Sequence, residues 1–186
     1  KGTDMKVHER FIDYIRFDTT SDPASRTCPS TRNQMIFAEY LVEQMKNIGI
    51  ENAHVDKSGY VYGFINAKPG YEQVQPIGFI AHMDTSDAVS GKNINPRIIK
   101  SYDGKDIILN NELNIVMEVE KYPHLKKYQG HDLVVTDGTT LLGVDDKAGI
   151  AEILTMAEKL INSDSLMHGP ISIAFTPDEE IGRGAD

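Results

Sequence analysis

Cysteine occurs once in the 186 residues, at Cys28. A single thiol allows no intramolecular disulfide, so the chain suits a reducing compartment. Cys28 stands beside Pro29 in a polar stretch without a histidine, and it reads as incidental rather than nucleophilic. Long apolar runs are also missing. None approaches the length that spans a bilayer, and the start is charged and polar rather than signal-like. Basic residues are outnumbered, 19 to 28, which leaves a formal net charge of −9. That sign disfavours nucleic acid and anionic membrane surfaces, both of which attract Lys and Arg. It does not repel a substrate with a free amine, although solvation of an acidic surface accounts for most of it. There is no internal repeat and no low-complexity tract. These features together predict a cytoplasmic protein.

What is present is the balance of a soluble globular domain, 40% hydrophobic and 25% charged. The length suits one domain of ordinary size. Met5 is a candidate native start, so Lys1 to Asp4 are candidates for added residues. Phe11, Ile12 and Ile15 fall at helical spacing and predict a helix of about ten residues from Val7. The stretch from Thr19 to Thr31 is polar, carries two prolines and reads as a loop. A second helix follows, with Ser30 or Thr31 as N-cap, an apolar face of Ile36, Phe37, Tyr40, Leu41 and Met45, and Gly49 at its C-terminus. Ala53–Val55 and Tyr60–Ile65 read as strands about a turn at Lys57-Ser58-Gly59, and Ile77–Ala81 as a buried strand. From Ser86 to Gly130 the pattern weakens, with short strands expected at Ile107–Leu109 and Ile115–Val119. Such a length is too great for a structureless loop in a compact domain. Order returns at Leu133–Thr136. A helix from about Asp145 to Ile161 buries Ile150, Ile153, Leu154, Ala157, Leu160 and Ile161, and Ile171–Phe175 is a further buried strand. Alternating strands and helices predict an α/β fold with a mixed, partly parallel sheet flanked by helices.

Three strand-like runs lead into side chains able to bind metal: His82-Met83-Asp84, Gly143-Val144-Asp145-Asp146-Lys147 and Thr176-Pro177-Asp178-Glu179-Glu180. Ligands of open α/β sheets bind beyond the carboxyl ends of strands, so the three can converge in one crevice. His82 and Asp84 project to the same face of an extended segment, which makes Asp84 a candidate to orient the imidazole. Taken alone, a histidine at a strand end is an ordinary polar residue. Asp145 and Asp146 open a helix, where capping and the macrodipole favour aspartate without any metal. One of them can equally present both oxygens to a pair of cations, held by a start fixed between Gly143 and Gly149. Glu179 and Glu180 repel each other when both are ionised. Water tolerates such a pair at a surface, whereas in a metal centre one can bind the cation and the other take a proton from water.

The segments Gly78–Thr85 (GFIAHMDT), Thr136–Gly149 (TDGTTLLGVDDKAG) and Ala174–Gly182 (AFTPDEEIG) resemble those of the two-zinc peptidases related to carboxypeptidase G and peptidase T, and Ser90–Pro96 (SGKNINP) resembles the peptidase T branch. The resemblance runs from about Met5 to the last residue. It implies that His82 binds one zinc, Asp145 bridges both and Glu180 binds the second. Asp84 then orients His82, Glu179 is the general base, and Asp146 and Lys147 support the site. It implies further a metal-dependent aminopeptidase acting on tripeptides, with two Zn2+ per full-length subunit and a homodimeric assembly. Family members complete the centre with a further aspartate and histidine downstream, and carry a second, smaller domain. Residues 5–186 therefore read as the N-terminal portion of the catalytic domain, expected to hold zinc weakly and to turn nothing over alone. A deacylase or carboxypeptidase of the same superfamily shares the metal motifs. A non-catalytic binding domain on the same fold is the alternative of a different class, against which the retained acidic and imidazole side chains speak.

Overall fold

The computed structural model describes residues 5–185, so Lys1 to Asp4, the candidates for added residues, lie outside the described part. The chain divides into two compact units, one running up to Ala88 and resuming at Gly143, the other spanning Val89–Leu142.

In the first unit, α1 (Val7–Tyr14) and α2 (Arg32–Asn47) precede β1 (Glu51–Val55), β2 (Val61–Ile65) and β3 (Ile77–His82). The helices form where apolar residues recur every three to four positions, and α2 buries Phe37, Ala38, Leu41, Val42 and Met45. Ile36, expected on that face, is exposed. Gly49 takes a φ of 90°, which lets the chain leave α2 for β1. Thr31 is the N-cap residue but its side chain makes no cap bond, and Ser30 turns elsewhere.

In the second unit, β4 (Arg97–Ile99) pairs with β7 (Leu133–Val135), and β5 (Ile107–Asn110) with β6 (Ile115–Met117), both antiparallel. A 3-10 turn over Pro123–Tyr128 lies between β6 and β7. Tyr102, Ile107, Val119 and Leu125 form a small core. β4 and the turn escape a periodicity search because each offers too few residues to show a period.

The chain then re-enters the first unit through α3 (Val144–Asn162) and β8 (Ile171–Thr176). Four strands make a mixed sheet in the order β1-β2-β8-β3, antiparallel across β1, β2 and β8 and parallel between β8 and β3. α3 packs on β3, α2 on β1 and β2, and α1 on α3. Ile171, Ile173 and Phe175 alternate into the core beside Val61 and Ile65, as period two requires. β3 corrects the sequence reading. It is the last strand of the sheet among the described residues, and only its C-terminal Ala81 and His82 are buried, while Ile77 and Ile80 are 54% and 71% exposed. No helix among the described residues is long and apolar enough to cross a membrane.

Candidate metal centre

β3 and β8 run parallel with His82 opposite Thr176, so the residues that leave both strands emerge at the same end of the sheet. His82 closes β3, and Glu179 and Glu180 stand three and four residues beyond Thr176 in a one-turn 3-10 helix. α3 packs against β3 and brings its first residues to that end. One ligand atom each from His82, Asp145 and Glu180 lies within 4.8 Å of the others. His82 is buried and the two carboxylates are exposed, so the group opens to solvent.

The imidazole is held from both sides. Its Nδ1 lies 3.0 Å from the Asp84 carbonyl oxygen and 3.4 Å from Asp84 Oδ1, which leaves Nε2 facing Asp145 Oδ1 at 2.8 Å. Glu179 Oε2 is 3.8 Å from the same Nε2. Asp84 is fully buried and does more than meet the ring. Its Oδ1 accepts the Glu179 amide at 2.9 Å and its Oδ2 the Glu180 amide at 3.1 Å. One carboxylate therefore ties the end of β3 to the turn after β8.

The two aspartates of α3 separate. Both depart from helical dihedrals, so regular helix begins at Lys147 rather than at Asp145, and a cis peptide bond joins the pair. Asp146 Oδ2 accepts the His82 amide at 3.4 Å and its carboxylate lies against Gly149, whereas Asp145 faces the His82 ring. A β-carbon at Gly149 would collide with Asp146 Oδ1 and stand 2.9 Å from its Cγ. Gly149→Ala must therefore displace the Asp146 carboxylate and its bond to the His82 amide. Alanine gains about 1 kcal/mol of helix propensity over glycine, but the lost hydrogen bond costs a similar amount and crowding adds about 1–3 kcal/mol. The expected result is a net loss near 1–3 kcal/mol, read from the urea midpoint; an unchanged or raised midpoint contradicts it.

The loop from Thr19 to Thr31, which carries no chemical signal, braces the centre. Thr19 Oγ1 donates to the Met83 carbonyl at 2.7 Å, Thr85 donates its amide to Thr19 O, and Ser21 donates its amide to Thr85 O. Lys147 is buried, its Nζ donating to Phe17 O at 2.6 Å and standing 5.4 Å from the Phe37 ring centre. Burial lowers its pKa to about 8 against the pull of Asp18 and Asp84.

Charge accumulates where these elements meet. Burial opposes protonation of His82, but Asp84 and Asp145 outweigh it and raise the ring to about 9. Burial also opposes ionisation of Asp84, yet the His82 ring and the Glu179 and Glu180 amides hold that carboxyl below its usual range. Glu180 is raised by partial burial and by the charges of Asp145, Asp84 and Glu179, with His82 pulling the other way. One imidazole nitrogen and several crowded carboxylates are the donor set that zinc accepts, and a cation relieves the repulsion that raises Glu180. The residues present fit a divalent metal on those grounds.

Comparison with known proteins finds relatives in sequence and in fold. No family model matches the chain. Peptidase T of Halothermothrix orenii is 53% identical over 181 residues, covering 97% of this chain and 44% of that protein. Peptidase T of a Clostridium botulinum strain is 54% identical over 180 residues, with the same coverage. This chain is a homologue of peptidase T. A match of 181 residues in 186 takes in His82, Asp145 and Glu180 alike. The chain spans about 44% of the length of the peptidase T relatives it matches. The fold agrees with the aminopeptidase PepT of Bacillus cereus, at a TM-score of 0.60 and 23% identity over 96% of this chain and 37% of that one. A tripeptidase from Staphylococcus aureus gives 0.59 and 20% over 97% and 38%. The mixed sheet with packed helices expected from the sequence is the fold shared with these structures.

Proposed function

We propose that this chain carries part of the centre of a metal-dependent aminopeptidase that removes the N-terminal residue of tripeptides. The convergence of His82, Asp145 and Glu180 at the carboxyl ends of two parallel strands carries the reading, supported by the identity to peptidase T. In the full-length protein His82 and Glu180 would hold one zinc each and Asp145 would bridge them. Bound zinc supplies Lewis acidity, which lowers the pKa of water and polarises a carbonyl oxygen.

The protein's own groups do the rest. Asp84 fixes the imidazole tautomer so that Nε2 points at the metal position. Glu179 stands beside that position with an exposed carboxylate. It takes the proton of the attacking water and returns it to the departing amine. The open, acidic mouth suits a peptide with a free N-terminal amine. We place the protein in the cytoplasm, as a homodimer acting on short peptides, on the strength of its single cysteine, its charge and its family resemblance.

The test is hydrolysis of tripeptides, dipeptides and acylated amino acids by the full-length protein before and after chelation. Tripeptides should be cleaved at the first bond, the chelated protein should be inactive, and added Zn2+ should restore turnover. Chelator-resistant cleavage removes the metal role, and preference for acylated amino acids or free C-termini moves the protein to a deacylase or carboxypeptidase.

A further inference from the structure

Asp178 is invisible as a functional residue in the sequence, where it reads as one acid in an acidic run. In the structure it is fully buried and its carboxylate is taken up by Ser30 and Gln34. Oδ2 accepts the Ser30 amide at 2.6 Å, and Oδ1 accepts the Ser30 hydroxyl at 2.5 Å and Gln34 Nε2 at 2.7 Å. Gln34 Oε1 in turn accepts the Asp178 amide at 3.1 Å. Ser30 and Gln34 are themselves buried. Asp178 thus sits in a closed ring of partners from the loop and from α2, more than 140 residues away in sequence.

The residue also begins the turn that aims the glutamates. Asp178 adopts a φ of 56°, its carbonyl accepts the Arg183 amide at 2.9 Å, and Glu179 O accepts the Gly182 amide at 2.8 Å. Glu179 and Glu180 are exposed, so little packs around their side chains and the backbone sets their direction. That backbone has two side-chain anchors, Asp84 on the amides of the glutamates and Asp178 just before them. We propose that Asp178, locked by Ser30 and Gln34, is a positioning residue that aligns Glu179 and Glu180 with His82 and Asp145. The inference rests on the two-metal reading of those glutamates and adds the residues that place them.

The polarity of the ring gives a test that separates positioning from mere stability. Asp178→Asn puts an amide donor against Gln34 Nε2 or the Ser30 amide, both of which must donate. Gln34→Glu in the same chain restores an acceptor for the new amide and still accepts the backbone amide of residue 178. The total charge equals that of the unaltered protein. In the full-length protein, Asp178→Asn should weaken Co2+ binding at the Glu180 position and lower kcat, each by about 10–100-fold, as loss of an outer partner does, with KM changed little. Asp178→Asn combined with Gln34→Glu should recover both to within a few-fold. Ser30→Ala, which removes one donor, should fall between them and serves if Asp178→Asn does not fold. A lower Tm with unchanged Co2+ affinity and kcat assigns Asp178 to the fold alone and overturns the proposal, as does a double variant no better than the single one. If the unaltered protein binds Co2+ but cleaves no tripeptide, the proposed activity falls while Co2+ affinity still decides the role of Asp178. If it binds no Co2+, both fall.

Discussion

Glu179→Gln in the full-length protein lowers kcat for tripeptide hydrolysis by about 10²–10⁴-fold, the usual worth of a general base, and leaves the metal content unchanged. The substitution keeps the shape of the side chain and removes only its ability to accept a proton. The Glu179 amide still donates to Asp84, so the turn keeps its place. Among the described residues the group placed to hold metal is His82, Asp145 and Glu180, without Glu179, so the metal keeps its ligands. Like-charge crowding around Glu180 decreases, since Glu179 is one of the charges that raise it, and metal affinity should fall only slightly. Steady-state kinetics beside atomic emission on the same sample checks both halves. Near-normal kcat refutes the base assignment, and loss of metal makes Glu179 a ligand instead.

Much of this architecture is legible in the sequence, because local patterns dictate it. Phe37, Leu41 and Met45 recur at helical spacing, and Ile171, Ile173 and Phe175 alternate, since burial on one face leaves no other periodicity. Two of the three clusters can be found because each follows a strand, β3 or β8, and ends it abruptly in polar residues, whereas Asp145 and Asp146 open α3 with no strand directly before them. Their convergence is legible only through the general habit of parallel sheets. The features that escape depend on partners distant in the chain. Thr19 and Ser30 look like ordinary loop residues until Met83 and Asp178 are seen to bond with them across 64 and 148 positions. Asp145 and Asp146 read alike in a helical start, and only a backbone that leaves the helical region sends one to the His82 ring and the other to the His82 amide. The exposure of β3 escapes for a related reason: composition reports how apolar a strand is, not how many neighbours it has. Ile80 has the composition of a core residue and the surroundings of a surface one.

Asp84→Ala should be the most damaging single change to the centre as a structure. The carboxylate is buried and serves three groups at once, the His82 ring and the amides of Glu179 and Glu180. Hydrogen bonds to a charged acceptor contribute about 1.5–3 kcal/mol each. These bonds are not additive, and removing one partner of a buried charged cluster costs about 3–5 kcal/mol of folding stability. Asp84→Asn discriminates between charge and shape. It fits the same space, but one of its two ends becomes a donor, so one of the two glutamate amides loses its acceptor. Its stability loss should fall between zero and that of alanine. Metal affinity should drop about 10–100-fold in Asp84→Ala, because the imidazole keeps only the backbone carbonyl of residue 84 and the glutamate turn loses its anchor in the same step, and by less in Asp84→Asn. Urea unfolding with Co2+ titration on each variant reads the two effects separately. Stability within about 1 kcal/mol of the parent for Asp84→Ala, below the worth of even one such bond, means the buried carboxylate does not tie β3 to the turn after β8. The coupling of imidazole and glutamates through one residue would then have to be given up.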